Sequence, residues 1–145
     1  MMENKRFSLV KPTVNTPFHV DFEWWKQHDN NWKVYLHGCL CKQHQELFND
    51  MDSSTMIDII DPVTAEIHQV DAIQQILINH CAKQSDFITE HTVLVDTVFR
   101  VFLANGNTSM SPVDLSEQIH RPPETILKTL AGPMVYKGIR PCQVC

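Results

Sequence analysis

One segment in the second half of the chain constrains the fold most strongly. Residues 92–104 read TVLVDTVFRVFLA, and apolar side chains cover all but a thin edge of the helix that this run predicts. A helix that is apolar on nearly every side is buried in a protein core. We therefore expect a central helix, capped by Thr92 and ended by Asn105-Gly106, around which the C-terminal region packs.

Two shorter helices are predicted after the central one. Ser111, Pro112 and Asp114 form a helix start, with a cap, a proline at the first helical position and a capping box. Pro122-Pro123 breaks this helix and starts the next one. Residues 134–140, MVYKGIR, then predict a short strand.

The stretch from 111 to 140, SPVDLSEQIHRPPETILKTLAGPMVYKGIR, resembles the winged helix-turn-helix of prokaryotic transcription regulators. The resemblance covers about a third of the chain and lies in spacing, not in a diagnostic motif. It implies that the second helix enters a major groove of double-stranded DNA, and that a homodimer binds, because one short recognition helix gives little affinity. The DNA-binding residues that it implies are Arg121, Thr125, Lys128, Thr129, Lys137 and Arg140.

The charge distribution permits DNA binding without requiring it. A net charge of −5 argues against a protein whose main task is to coat nucleic acid. Residues 109–145 differ, with four Lys/Arg against three acids, although Glu124 at the start of the second helix repels phosphate. The alternative is a protein-protein interaction module whose winged helix does not bind DNA.

The N-terminal region predicts a different architecture. Residues 1–17 are expected to form an extended arm, and residues 18–90 a helical unit. In that unit a long helix starts at Asn30 or Asn31 and continues past Gly38 and Cys41.

A β-hairpin is expected within 55–70, turning at residues 61–64, with Ala65 and Ile67 opening its second strand. Asp71 then caps another helix, which runs out near residues 83–85. The predicted fold class is thus mainly α (α+β), with N-terminal helices and a small β-hairpin packed on a C-terminal winged helix-turn-helix over 91–145.

Cysteine and histidine spacing predicts a metal site. Cys41 and His44 stand three residues apart, which puts both on one face of a helix, and His37 joins the same stripe. His80 and Cys81 lie near the C-terminus of a second helix. If these helices pack together, two thiolates and two imidazoles would meet, a donor set that zinc accepts in structural sites.

Other interpretations of the five cysteines stay open. Cys142 and Cys145 form a C-x2-C pair, which Cys39 and Cys41 could complete as an alternative zinc site. The cysteines could instead be small buried hydrophobic residues. An odd cysteine count without an export signal does not indicate a disulfide framework.

Several function classes lack their sequence signals. We find no Gly-rich phosphate loop, no nucleophile elbow and no H-E-x-x-H motif, so we do not expect an enzyme. No run approaches the roughly 18 apolar residues of a membrane span. The N-terminus lacks the apolar core of a signal peptide, so we expect a cytoplasmic protein without membrane contact.

Overall fold

A computed structural model describes residues 11–49 and 56–142 of the protein. Within these ranges the chain is mainly helical with two small antiparallel sheets, which confirms the predicted α+β class. The helices are α1 (Phe22–His28), α2 (Trp32–Cys39), α3 (Lys42–Asn49), α4 (Ala72–Asn79), α5 (Leu94–Ala104), α6 (Pro112–Ile119) and α7 (Pro123–Leu130). The strands are β1 (Phe18–Val20), β2 (Met56–Ile60), β3 (Ile67–Asp71) and β4 (Ile139–Pro141), and a 3-10 turn covers Cys81–Lys83. No helix in the described ranges is long and apolar enough to cross a membrane.

Helix α5 lies at the centre of the core, as its apolar sequence predicts. Phe99 and Phe102 are fully buried and belong to a cluster that includes residues of both the N-terminal and the C-terminal regions. The predicted cap is wrong: the helix begins at Leu94 with Val93 as its N-cap, and the Thr92 hydroxyl contacts that of Thr89 at 3.1 Å. The helix ends as predicted, at Asn105, before a Gly106 with a φ of 74°.

Helices α6 and α7 have the predicted starts. Ser111 Oγ accepts from the Asp114 amide at 3.1 Å, and Asp114 Oδ2 accepts from the Ser111 amide at 3.0 Å, which confirms the capping box. His120 ends α6 in the left-handed conformation, with a φ of 58°, and α7 starts at Pro123. The two helices pack on each other and on α5, so a tight turn joins a helix pair on the core.

The strand after α7 is shorter than predicted and has a partner that we did not predict. It covers Ile139–Pro141, not 134–140, and pairs with β1. The Asn107 side chain holds β1 in place, because it bonds to both the amide and the carbonyl of Val20 at 2.9 Å. The C-terminal strand therefore completes its sheet with residues from the N-terminal region.

The described part of the predicted arm docks against the body. The Val14 carbonyl accepts from the Val113 amide at 3.1 Å, and the Pro17 carbonyl accepts from the Cys142 amide at 2.8 Å. These bonds connect the start of the described chain to α6 and to the end of β4.

The single long helix predicted from residue 30 or 31 is wrong. The chain leaves helical geometry at Leu40, whose ψ of 150° separates α2 from α3. The Gln45 side chain donates to the carbonyls of Gly38 at 3.2 Å and Leu40 at 3.0 Å. A helix end leaves such carbonyls without partners, so these bonds stabilise the break.

The predicted β-hairpin is confirmed, with one correction. Its turn is held by the Asp61 carboxylate, which accepts from the amides of Val63 at 2.8 Å and Thr64 at 3.2 Å. Ala65 lies in this turn with a φ of 61°, and the second strand begins at Ile67, so the predicted strand start at Ala65 is wrong.

Asp71 links the hairpin to two helices. Its carboxylate accepts from the Gln74 amide at 2.9 Å, which confirms the predicted cap of α4. The same buried carboxylate forms an ion pair with Lys33 of α2. Helix α4 ends at Asn79, earlier than predicted, and the 3-10 turn follows.

Candidate metal centre

Four metal-ligating side chains from two separate segments converge at one corner of the protein. One ligand atom from each of Cys41, His44, His80 and Cys81 lies within 4.8 Å of all the others. The two sulfurs are 3.5 Å apart. His44 Nδ1 is 3.1 Å from Cys41 Sγ and 3.6 Å from Cys81 Sγ, and His80 Nδ1 is 3.8 Å from Cys41 Sγ. The cluster could hold one metal ion.

The local backbone explains the first half of the cluster. Cys41 lies between α2 and α3, and its carbonyl accepts from the amides of His44 at 3.0 Å and Gln45 at 2.9 Å. His44 therefore stands in the first turn of α3, directed back towards Cys41. The break that Gln45 stabilises is thus also what positions the C-x2-H pair.

The second half is positioned by the end of α4. The His80 amide still bonds to the Ile76 carbonyl at 2.9 Å, and the chain then tightens into the 3-10 turn at Cys81. Helix α4 packs against α2, and the Lys33–Asp71 ion pair joins the same two helices. This packing brings the His80-Cys81 corner beside the α2–α3 junction.

The prediction that His37 shares a helical face with Cys41 and His44 is wrong. Because the chain breaks at Leu40, His37 belongs to α2, whereas Cys41 and His44 belong to the junction and to α3. In the part of the chain that the structure describes, His37 is outside the cluster.

The donor separations resemble the edges of a zinc tetrahedron. Zn–S bonds of about 2.3 Å and Zn–N bonds of about 2.0–2.1 Å place two sulfurs about 3.8 Å apart, and a sulfur and a nitrogen about 3.6 Å apart. The observed Sγ–Sγ distance is 3.5 Å, and three of the four Sγ–Nδ1 distances run from 3.1 to 3.8 Å. Shifts of about half an ångström bring these pairs to the ideal values. The other two donor pairs, His80–Cys81 and His44–His80, lie within 4.8 Å.

Burial favours the neutral forms of two of the four donors, Cys81 and His44. Cys81 is 1% exposed, and burial raises the pKa of its thiol to about 11. Burial, followed by the neighbouring His80, lowers the pKa of His44. His44 is therefore already in the neutral form that binds metals, whereas Cys81 becomes a ligand by losing a proton.

The alternative set of Cys39, Cys41, Cys142 and Cys145 is not assembled among the described residues. Cys39 is 4% exposed in the core, and burial raises the pKa of its thiol. Cys142 is disulfide-bonded, and Cys145 lies outside the described residues. The one group of donors found in the described ranges that could hold a metal contains neither Cys39 nor Cys142.

A half-open cavity of about 270 Å³ lies beside the cluster. Cys41 and Cys81 both line it, together with Cys39, Lys42 and Arg100. Arg100 is fixed there, because its Nη1 donates to the Phe87 carbonyl at 2.8 Å. We did not predict this cavity, since its walls come from segments that are distant in the sequence.

The residues that the resemblance assigned to DNA differ in their exposure and in their contacts. On α7 and the turn before it, Arg121 and Lys128 are exposed. Thr125 and Thr129 are half-buried, and Thr129 Oγ1 donates to the Thr125 carbonyl at 3.1 Å.

The other two assigned residues contact the N-terminal region. Lys137 Nζ lies 4.2 Å from the centre of the Tyr35 ring. Arg140 Nη1 is 3.1 Å from Asp21 Oδ2, and its guanidinium lies 5.1 Å from the centre of a Trp24 ring. Both cations therefore have partners within the protein, on residues that no local sequence pattern connects to them.

Comparison with known proteins found no matching family model, no matching curated protein and no matching solved structure. A function must therefore be argued from the geometry and chemistry of the described residues.

Proposed function

We propose that Cys41, His44, His80 and Cys81 bind one Zn²⁺ ion and that this ion has a structural role. The observation that carries the proposal is the meeting of two thiols and two imidazoles, from segments about 40 residues apart, within 4.8 Å of one another. Four of their six separations are close to those of a zinc tetrahedron. Sulfur and imidazole donors favour zinc over magnesium and calcium, which prefer oxygen ligands. Four protein ligands leave no open position for water or substrate, as in structural zinc sites.

The ion would connect the α2–α3 junction to the end of α4. These segments are also joined by the Lys33–Asp71 ion pair and by core residues such as Leu36 and Leu77. Zinc would therefore add stability to a fold that has its own core. A ligand that binds only the folded state stabilises it by about 4 kcal/mol when its free concentration is a thousand times its Kd.

Metal analysis of the purified chain tests this proposal. We expect about one zinc per chain, and a cobalt-substituted form with the visible absorption of a tetrahedral thiolate site. Cys41→Ser and His80→Ala should lose the metal, whereas the matched variants Cys39→Ala and His37→Ala should keep it. Protein that contains no zinc after purification, and takes up none on titration, would contradict the proposal.

We also propose a second function, DNA binding by the α6–α7 pair in a homodimeric, transcription-regulator-like protein. The supporting observation is a groove of about 450 Å³ beside α7, which Lys128 lines together with Lys11 of the N-terminal segment. Among the described residues, neither these two lysines nor Arg121 forms an ion pair. Glu124 lines the same groove and opposes phosphate, and Leu127 gives it an apolar wall that would suit a protein partner instead.

A DNA titration of the zinc-loaded protein separates these two partners. Against mixed-sequence duplexes at low salt, we expect binding at micromolar protein and an affinity that falls as salt rises, because each phosphate contact releases counterions. A dimer should favour a site with two-fold symmetry. Failure to bind any duplex under these conditions would leave the protein-protein interaction module as the function of this helix pair.

A further inference from the structure

We propose that Cys41 and Cys81 are a peroxide-sensitive pair whose oxidation to a disulfide releases the zinc. The inference rests on the proposed zinc site and names a regulation of that site. Its basis is the distance between the two sulfurs, the cavity beside them and the number of ligands that would remain.

The two sulfurs are already close. Their separation is 3.5 Å, and a disulfide bond is about 2.05 Å long. Cys41 lies at the junction between two helices and Cys81 at the first residue of a 3-10 turn. Neither cysteine is inside an α-helix, so the closure involves two corners of the chain and no helix interior.

A small oxidant can reach Cys41, the more exposed member of the pair, from solvent. Both cysteines line the half-open cavity of about 270 Å³, which is large compared with hydrogen peroxide. Cys41 is half-buried there, whereas Cys81 is only 1% exposed. On the outer side of the cluster, His80 is exposed. Peroxide can therefore approach the Cys41 sulfur without unfolding of the core, and the buried Cys81 sulfur, 3.5 Å away, is placed to react with the sulfenic acid that forms there.

The reaction balances with hydrogen peroxide as the oxidant. One thiolate sulfur attacks a peroxide oxygen, so an S–O bond forms, the O–O bond breaks and hydroxide leaves. The second thiolate attacks the resulting sulfenic sulfur, so the S–S bond forms, the S–O bond breaks and a second hydroxide leaves. The two thiolates lose two electrons in total, and peroxide gains them.

The oxidised site can no longer hold its metal. A disulfide has no thiolate charge to offer, so His44 and His80 remain as the only ligands of the original four. The new covalent bond joins the same two segments that zinc joined. We therefore expect the oxidised protein to stay folded, with its two histidines released from the metal.

The experiment uses the zinc-loaded full chain and two readouts. Zinc content is measured first, and hydrogen peroxide is then added while a chromogenic chelator reports released zinc. Peptide mass spectrometry without reductant identifies the disulfide. We expect one zinc released for each Cys41–Cys81 disulfide formed, with both changes reversed by dithiothreitol and added zinc.

The variant Cys39→Ala is the matched control, because Cys39 is the third free cysteine of the described residues and lines the same cavity. It should release zinc as the unaltered chain does. Retention of zinc with intact thiols in about tenfold excess peroxide, or a disulfide that involves Cys39, would overturn the inference and leave the zinc site standing. A chain that holds no zinc before peroxide is added would contradict the zinc site and the inference together.

Discussion

The sequence predicts a zinc ion as the ligand of the Cys/His cluster and DNA as the ligand of the α6–α7 pair. The structure arranges the residues of these two predicted sites differently. In the cluster, four donors from two segments lie within 4.8 Å of one another. Around α6 and α7, Arg121 and Lys128 are exposed, whereas Arg140 forms a partly exposed ion pair with Asp21. Thiol and imidazole donors that converge in this way could hold one metal ion. Exposed cations indicate only a surface that DNA could use.

The largest expected effect tests whether the two regions share one core. Phe102 is fully buried on α5, so Phe102→Ala should lower the free energy of unfolding by about 3–5 kcal/mol. Because the buried cluster includes residues of both regions, zinc release, tryptophan fluorescence and far-UV circular dichroism should change in a single transition.

Val93→Ala is the control for this change, since Val93 is 62% exposed at the start of the same helix. It should alter stability by less than about 0.5 kcal/mol. Zinc release in a separate transition, or a Phe102→Ala effect as small as that of Val93→Ala, would mean that the two regions do not share the core around α5.

The next effect concerns the cluster alone. Cys41→Ser and Cys81→Ser should each lower the stability of the zinc-loaded chain by about 4 kcal/mol at free zinc a thousand times Kd, because each removes the ion. The double variant should cost little more than either single variant, since the ion can be lost only once. If the stability losses of the two single variants add up in the double variant, or if they are the same size in a zinc-free buffer, the thiols stabilise the fold by packing and not by binding zinc.

Much of the fold could be predicted from local signals. The apolar helix α5, the capping box at Ser111 and the hairpin turn at Asp61 depend on neighbouring residues, which the sequence displays directly. The pairing of β1 with β4 could not be predicted, because it joins the two ends of the described chain. The break at Leu40 was not predicted, because the apolar spacing of the sequence continues across it, and the Gln45 amide that stabilises it lies in the next helix.

The candidate site shows the same division. The C-x2-H and His-Cys spacings predicted the four donors. That these donors come together depends on how α2 packs against α4, which the spacings do not show. No local pattern could show that Arg140 would be paired with Asp21 across most of the chain. The net charge of a segment therefore does not predict which of its cations are free at the surface, because tertiary contacts such as this ion pair engage some of them.

A smaller effect on stability is expected from the capping box at the start of α6. Ser111→Ala removes the side-chain oxygen that accepts from the Asp114 amide, so it should lower stability by about 1 kcal/mol. Ser116→Ala, within the same helix, should be neutral or slightly stabilising because alanine has the higher helix propensity. Thermal unfolding of the two variants measures this difference, and equal Tm values would mean that the capping box does not contribute.

The smallest effect concerns the charges that would meet DNA, and it is measured as the salt dependence of binding. Lys128 is exposed without an ion pair among the described residues, so Lys128→Ala should remove one phosphate contact and reduce the slope of log affinity against log salt by about 0.9. Arg140 already has a carboxylate partner, so Arg140→Ala should leave the slope unchanged. Equal effects of the two variants would contradict the contrast between a free and an engaged cation.

Asp21→Asn tests the same contrast in the opposite direction. The asparagine side-chain oxygen can still accept from the Trp24 amide and cap α1, as Asp21 Oδ1 does at 3.1 Å, but the ion pair with Arg140 is lost. Since that pair is partly exposed, the stability cost should stay below about 1 kcal/mol. If Arg140 lies within reach of DNA, its release should increase the salt slope by about 0.9, and Arg140→Ala in this background should abolish the gain. An unchanged slope in Asp21→Asn would restrict the DNA-binding surface to α7 and the turn before it.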